Sequence, residues 1–269
     1  MSAGASTDMS PVKLTVEGNI ARITIARPQK RNALTRDMCV QLEEMFVGLG
    51  RDPEIAVVAI EGAGGNFCAG VDIAQLDEVL FGFDAAGQQT DQLSTLDAAI
   101  GSINKPTVAL IQGVCMGGGW QLASACDLVV CSDDAQFALT PAKLGILYPQ
   151  RGLNRLVRRV GQDRAKLLMF SGDRIDAVQA ERWGLVTLSV PAKSFFEQSE
   201  RLLDRIAKRS RYSITHSKKF IDLDIDEAES RGVLWRRVWS DMRGNEDFAA
   251  GQAAFLKRIE PDFTWRPRD

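Results

Sequence analysis

The run Thr107-Val108-Ala109-Leu110-Ile111-Gln112-Gly113-Val114-Cys115-Met116-Gly117-Gly118-Gly119-Trp120 passes from an apolar segment into three consecutive glycines. An unbroken apolar segment is the mark of a strand covered on both faces. Glycines directly after it predict a tight loop with exposed main-chain N–H groups, and a helix is expected to start near Trp120, followed by a strand over Leu128 to Cys131. The same order stands upstream. Ile55 to Ile60 is apolar, the loop Glu61-Gly62-Ala63-Gly64-Gly65-Asn66-Phe67-Cys68-Ala69-Gly70 follows it, and Leu93 to Ile103 is helical in spacing. Two strand, glycine-loop, helix units in succession predict an α/β fold of parallel strands whose carboxyl ends carry the site.

Toward the N-terminus, Val12 to Val16 and Ile20 to Ile25 alternate about Glu17-Gly18-Asn19, the pattern of a hairpin. Thr35 is a candidate cap for a helix carrying Met38, Leu42, Met45, Phe46 and Leu49. From Gly161 onward the chain reads mainly as helix: Ala165 to Phe170, Ala177 to Trp183, Phe195 to Ala207, Thr215 to Ile221, Ala228 to Trp239 and Glu246 to Arg258. The expected organisation is a flexible leader (1–11), a core (12–195) and a helical C-terminal region of the same domain (196–269).

With 269 residues, 45% hydrophobic and 25% charged, the chain can bury a sizeable core. A net charge of -2 offers no field for nucleic acid. No apolar run approaches the roughly 18 residues of a membrane span, so no membrane partner is expected. The start reads as neither signal nor transit peptide. Cys39, Cys68, Cys115, Cys126 and Cys131 form no CxxC pair and show no zinc spacing, so a reduced cytoplasm is expected and no metal.

A glycine loop beside a helix start attracts negative charge. Gly62-Ala63-Gly64-Gly65-Asn66-Phe67 has Phe67 where a dinucleotide fingerprint needs its third glycine, and no Gly-Lys-Ser/Thr follows either loop, so nucleotide readings are weak. Two such loops on neighbouring strands suit an oxyanion hole, formed if the N–H groups of Val71 and Gly118 converge on one point. Tight turns demanded by packing are the alternative.

Several segments, in this order, resemble the enoyl-CoA hydratase/isomerase (crotonase) superfamily from about Ile20 onward: Ala26-Arg27-Pro28-Gln29-Lys30-Arg31-Asn32-Ala33-Leu34, Asn66 to Ile73, Gly113 to Ala123, Ala125-Cys126-Asp127, Lys143 to Ile146, Ser171 to Ala177 and Ala180 to Val186. The resemblance implies a crotonase-like spiral of ββα units with a C-terminal helical trimerisation region, so a homotrimer or a hexamer. It implies an acyl-CoA thioester substrate, with coenzyme A entering as part of that substrate and no separate cofactor. Val71 and Gly118 would grip the thioester oxygen. Arg27, Lys30, Ala33, Ala69, Asp72 and Ile73 would hold CoA, and Phe255 and Lys257 would reach a neighbour's CoA. A solvated surface charge is the bland account of Lys30 and Lys257.

In the hydratases of this superfamily one catalytic glutamate lies two positions beyond the glycine cluster and a second on the next loop; here those places hold Gln121 and Pro141. Hydration needs a base and an acid, and neither residue serves. Gln121 either positions a water or a substrate carboxylate, or only packs. Trp120 is expected as a pocket wall, while Asp72 and Asp127 are expected as loop braces. Leu76, Val79, Leu80 and Phe81 are candidates for an apolar tail pocket, and helix packing accounts for them equally. The loop Thr140-Pro141-Ala142-Lys143-Leu144-Gly145-Ile146-Leu147-Tyr148 is similar to that of methylmalonyl-CoA decarboxylase, which implies Thr140 and Tyr148 as hydroxyl donors; that branch carries a histidine where this chain has Val71. An enolate-forming acyl-CoA lyase or isomerase is therefore expected. The alternatives are a malonyl-type decarboxylase and a catalytically silent acyl-CoA binder. His216 is expected at a surface or interface.

Overall fold

The computed structural model describes residues 10–83, 87, 89–222, 228–242 and 244–267. Most of the expected leader thus lies outside the described residues. Strands β1 (Val12–Glu17) and β2 (Ile20–Ile25) form the hairpin, with Glu17 opposite Ile20 across Gly18-Asn19. Helix α1 (Arg36–Arg51) starts at Thr35, whose hydroxyl accepts from the Met38 amide at 3.2 Å. Strand β3 (Val57–Gly62) leads through a glycine loop to α2 (Leu76–Leu80), a small ribbon of β4 (Gly82–Phe83) and β5 (Gln89–Thr90), and α3 (Gln92–Gly101).

The decisive stretch forms β6 (Thr107–Ile111), β7 (Val114–Met116) and α4 (Gly118–Ala125). The next turn of chain repeats it with β8 (Leu128–Ser132), β9 (Gln136–Ala138) and α5 (Pro141–Leu144). Then come α6 (Gln150–Val160), α7 (Gln162–Ser171), β10 (Ile175–Asp176), α8 (Ala177–Trp183) and β11 (Leu188–Val190). Helices α9 (Phe195–Ala207), α10 (Arg211–Asp222), α11 (Ala228–Met242) and α12 (Glu246–Lys257) complete the chain.

The main sheet has the order β1-β2-β3-β6-β8-β11, parallel from β2 onward. A second sheet, β10-β9-β7, stands beside it, and Cys68 pairs with Cys115 to bring the first glycine loop onto its edge. Two turns of the spiral, β6-β7-α4 and β8-β9-α5, thus contribute one strand to each layer and then a helix. Alternation along β3 explains its unbroken apolar sequence: Val58 and Ile60 face the principal core, whereas Val57 and Ala59 face a second core under α9. The expected division at 195/196 falls at the first residue of α9, whose Phe195, Leu203 and Ala207 pack on the outer face of the main sheet.

Three features differ from the sequence reading. Helix α6 begins eleven residues before Gly161, its Leu156 and Val160 buried between four arginines that mask the apolar spacing. The two- and three-residue strands of the second sheet are too short to show a period. Strand β11 returns to the main sheet from within the stretch read as helical.

Candidate active site

The two glycine loops meet because a third segment clasps them. Asn32, fully buried with φ +58°, accepts from the Arg27 amide at 2.9 Å and donates to the carbonyls of Ala63 and Asn66 at 2.9 and 2.7 Å. The Leu34 amide donates to the Gly70 carbonyl and the Asp72 amide to the Leu34 carbonyl, both at 2.8 Å. In this parallel bridge the bonds fall on the residues flanking Val71. The Val71 N–H is therefore left pointing away from Leu34.

Gly118 is the first residue of α4, where an N–H has no partner inside the helix. A Cβ on Gly118 would lie 3.3 Å from the Val71 nitrogen and 3.1 Å from its Cγ2; one on Gly70 would lie 3.5 Å from the Gly118 nitrogen. The two amides are thus neighbours, and glycine at both positions keeps the space between them open. Among the described residues neither amide donates to protein. Both residues line a cavity of about 80 Å³, walled by Leu76, Leu80, Leu93, Pro141, Ile146 and Pro149. The positive end of α4 adds to the attraction for negative charge there.

Thr140 and Tyr148 are the hydroxyl-bearing residues on that wall. Thr140 Oγ1 lies 3.6 Å from the place of a Gly117 Cβ. Tyr148, 8% exposed, donates its hydroxyl to the Gly117 carbonyl at 3.1 Å, so it holds the residue before Gly118. Burial pushes the Tyr148 phenol well above its ordinary pKa, which keeps it protonated. No carboxylate or imidazole of the described residues lines the cavity.

Of the remaining candidates, Ala69 and Ile73 line the cavity, and Ala33 adjoins them on the clasp. Arg27 donates to Asp72 at 2.7 Å and to the Ala33 carbonyl at 3.1 Å; this guanidinium holds the Asp72 carboxyl below its usual range, and Asp72 also caps Ala74. Lys30 is exposed on the same rim. Asp127 ties β6 to α10 by accepting from Thr107 and Lys218. Leu76 and Leu80 reach the cavity, but Val79 is core and Phe81 is half exposed. Phe255, 84% exposed, and Lys257 lie on α12 and do not line it.

Trp120 is a correction, and Gln121 takes its packing alternative. Trp120 is not a wall of the cavity: it is fully buried, edge-on to Phe137 at 5.8 Å. Gln121 is also buried behind the cavity and donates to Asp97, itself gripped by both terminal nitrogens of Arg155. A helix beginning at Gly118 carries its third and fourth residues round to the core side. The sequence marked Asn32 only as part of the segment Ala26 to Leu34 and did not mark Asp97 or Arg155; only Leu93 and Asp97 at i, i+4 hint that one helical face joins cavity and cluster. The cysteines are buried, and burial pushes Cys68 and Cys126 up to about 12, so these thiols are inert.

Residues 15–266 match the enoyl-CoA hydratase/isomerase family. The chain is 31% identical over 259 residues to 2,3-dehydroadipyl-CoA hydratase of Escherichia coli, covering 96% of this chain and all of that one. It is 31% identical over 268 residues to carnitinyl-CoA dehydratase of Proteus mirabilis, covering 95% and 98%. A crystal structure of an enoyl-CoA hydratase/isomerase family member superposes with a TM-score of 0.91 at 41% identity, covering 96% and 99%.

Proposed function

Because the chain belongs to the enoyl-CoA hydratase/isomerase family, we propose that it binds an acyl-CoA thioester with its carbonyl oxygen between the amides of Val71 and Gly118 and stabilises the enolate formed there. The observation that carries this reading is the pair of unpartnered, adjacent amides at one end of an apolar cavity. Each such donor contributes about 2.7 to 4 kcal/mol of transition-state stabilisation. The clasp of Arg27, Ala33, Ala69, Asp72 and Ile73 cradles the CoA, with Lys30 toward its phosphates. Phe255 and Lys257 serve a neighbour's CoA in a trimer or a hexamer. Five free cysteines suit a cytoplasmic setting.

Loss of carbon dioxide from a malonyl-type thioester is the reaction best suited to these residues. The bond from the carboxylate carbon to the α-carbon breaks and its electron pair passes into the enolate. The oxyanion rests on the two amides and carbon dioxide departs. One proton taken up from solvent and passed on by the Thr140 hydroxyl then adds to the α-carbon, which completes a redox-neutral step. No base is required, and the apolar walls favour neutral carbon dioxide over a carboxylate. Thr140 and Tyr148 stand beside the reacting carbons. Gln121 and Pro141, in place of two glutamates, speak against efficient hydration.

The test is incubation with methylmalonyl-CoA and, separately, crotonyl-CoA, with products followed by mass. Decarboxylation that falls about 10²- to 10³-fold in Gly118→Pro, which deletes one donor, is the expected result. Thioester binding without turnover across a broad acyl-CoA panel would establish a silent binder instead.

A further inference from the structure

Behind the cavity, three helices are pinned by one buried charge cluster. Asp97 on α3 is 1% exposed; Arg155 on α6 donates to it at 3.0 Å from one terminal nitrogen and more closely from the other, and Gln121 on α4 donates to the same carboxylate. Among the described residues the Gln121 amide oxygen has no hydrogen-bond partner, and it projects into the space beside Gly152, where a Cβ would overlap it and would stand 2.7 Å from Tyr148 Cε1. Tyr148 in turn holds the Gly117 carbonyl. On α3, one turn before Asp97, Leu93 approaches the place of a Gly118 Cβ at 3.4 Å.

We propose that Asp97, Arg155 and Gln121 are positioning residues that aim the Gly118 amide, acting on it from two sides: through Tyr148 and Gly117, and through Leu93. This rests on the oxyanion reading above. A buried carboxylate is tolerated here because three N–H donors from two side chains satisfy it, and a bidentate guanidinium fixes direction as well as distance. The cluster therefore sets the rotation of α3 and α6 about α4, and glycine at 152 leaves the amide and the phenol ring room to pack edge to edge.

The test uses the full chain with carbonyl-labelled acetyl-CoA and difference infrared spectroscopy. In the wild-type protein the bound carbonyl band is expected below its free position, because two N–H donors polarise it. Asp97→Asn and Arg155→Gln are expected to return most of that shift while acetyl-CoA affinity changes less than about threefold, since CoA contacts carry most of the binding. Arg155→Lys, which keeps the charge but loses the fork, should restore part of it. If these variants fail to fold, Gly152→Ala, which crowds Gln121 and Tyr148 without touching a charge, carries the same expectation. A full wild-type shift in the folded variants overturns the positioning role, as does a loss of affinity and Tm with the band unmoved. An unshifted band in the wild-type protein overturns the oxyanion reading itself, and the positioning role with it.

Discussion

Gly118 and Tyr148 divide the work at the centre of the site: one exposes an amide to the cavity, the other holds the peptide carbonyl just before it. Because burial keeps the Tyr148 phenol protonated far above neutrality and no other described titratable group lines the cavity, decarboxylation should show a flat pH profile from about pH 6 to 9. Initial rates across that range are the check; a limb within it contradicts a mechanism that uses no titrating side chain at the cavity. Gln121→Glu should not produce a hydratase, since the side chain faces Asp97 rather than the cavity. It should place a second carboxylate beside Asp97 and raise the pKa of the introduced glutamate in the folded state. A raised acid pKa means that stability is lost above the unfolded value near 4 and regained on acidification, so Tm of this variant should be lower at about pH 8 than at about pH 5.5. Hydration of crotonyl-CoA by that variant would show that the side chain can reach the substrate.

Helix ends were easier to read than helix faces. Thr35 was legible as a cap because a hydroxyl three residues before an amide is a local event, and Gly118 was legible because glycine permits the close approach of two main chains. Helix α6 was not, since its buried residues are separated by arginines whose partners lie on other elements. The C-terminal segment shows the same dependence on distant chain. Asp247 on α12 accepts from Ser210 at 2.6 Å and from the amides of Thr264 and Trp265 at 3.0 Å, while Trp265 packs edge-on to Tyr212 and beside His216. Asp247→Ala leaves those donors without their buried acceptor and should lower stability by about 3 kcal/mol, measured by chemical denaturation. Burial lowers the pKa of His216, so the unfolded chain takes up its proton first and this contact weakens as pH falls through about 6.5. Proteolysis of the last residues should accordingly be faster at about pH 5.5 than at about pH 7.5, and His216→Gln should remove the difference.

Across the assembled chain, the described C-terminal helices leave large apolar side chains uncovered: Ile221 is 78% exposed and Phe255 84%, while Trp235 and Trp239 stack on one another at 4.6 Å with much of their surface in solvent. A trimer would cover such surface. Light scattering should give a multiple of the 29.5 kDa chain mass, and Trp239→Glu should shift it toward that of one chain; a monomeric wild-type protein would remove assembly from the proposal.

The order of apolar strand, glycine loop and helix was enough to specify parallel strands and two glycine turns that approach closely, because burial on both faces and close main-chain approach each restrict residue type at its own position. Family membership could be read from the same motifs, since their succession is collinear with the chain. What the tertiary structure alone decided is where Gln121 points, that the Tyr148 hydroxyl is spent on Gly117, and that Asp97, Arg155 and Gly152 stand behind the site. These depend on the rotation of three helices about one another, a quantity fixed by packing between residues 24 to 58 positions apart in sequence and carried by no local pattern.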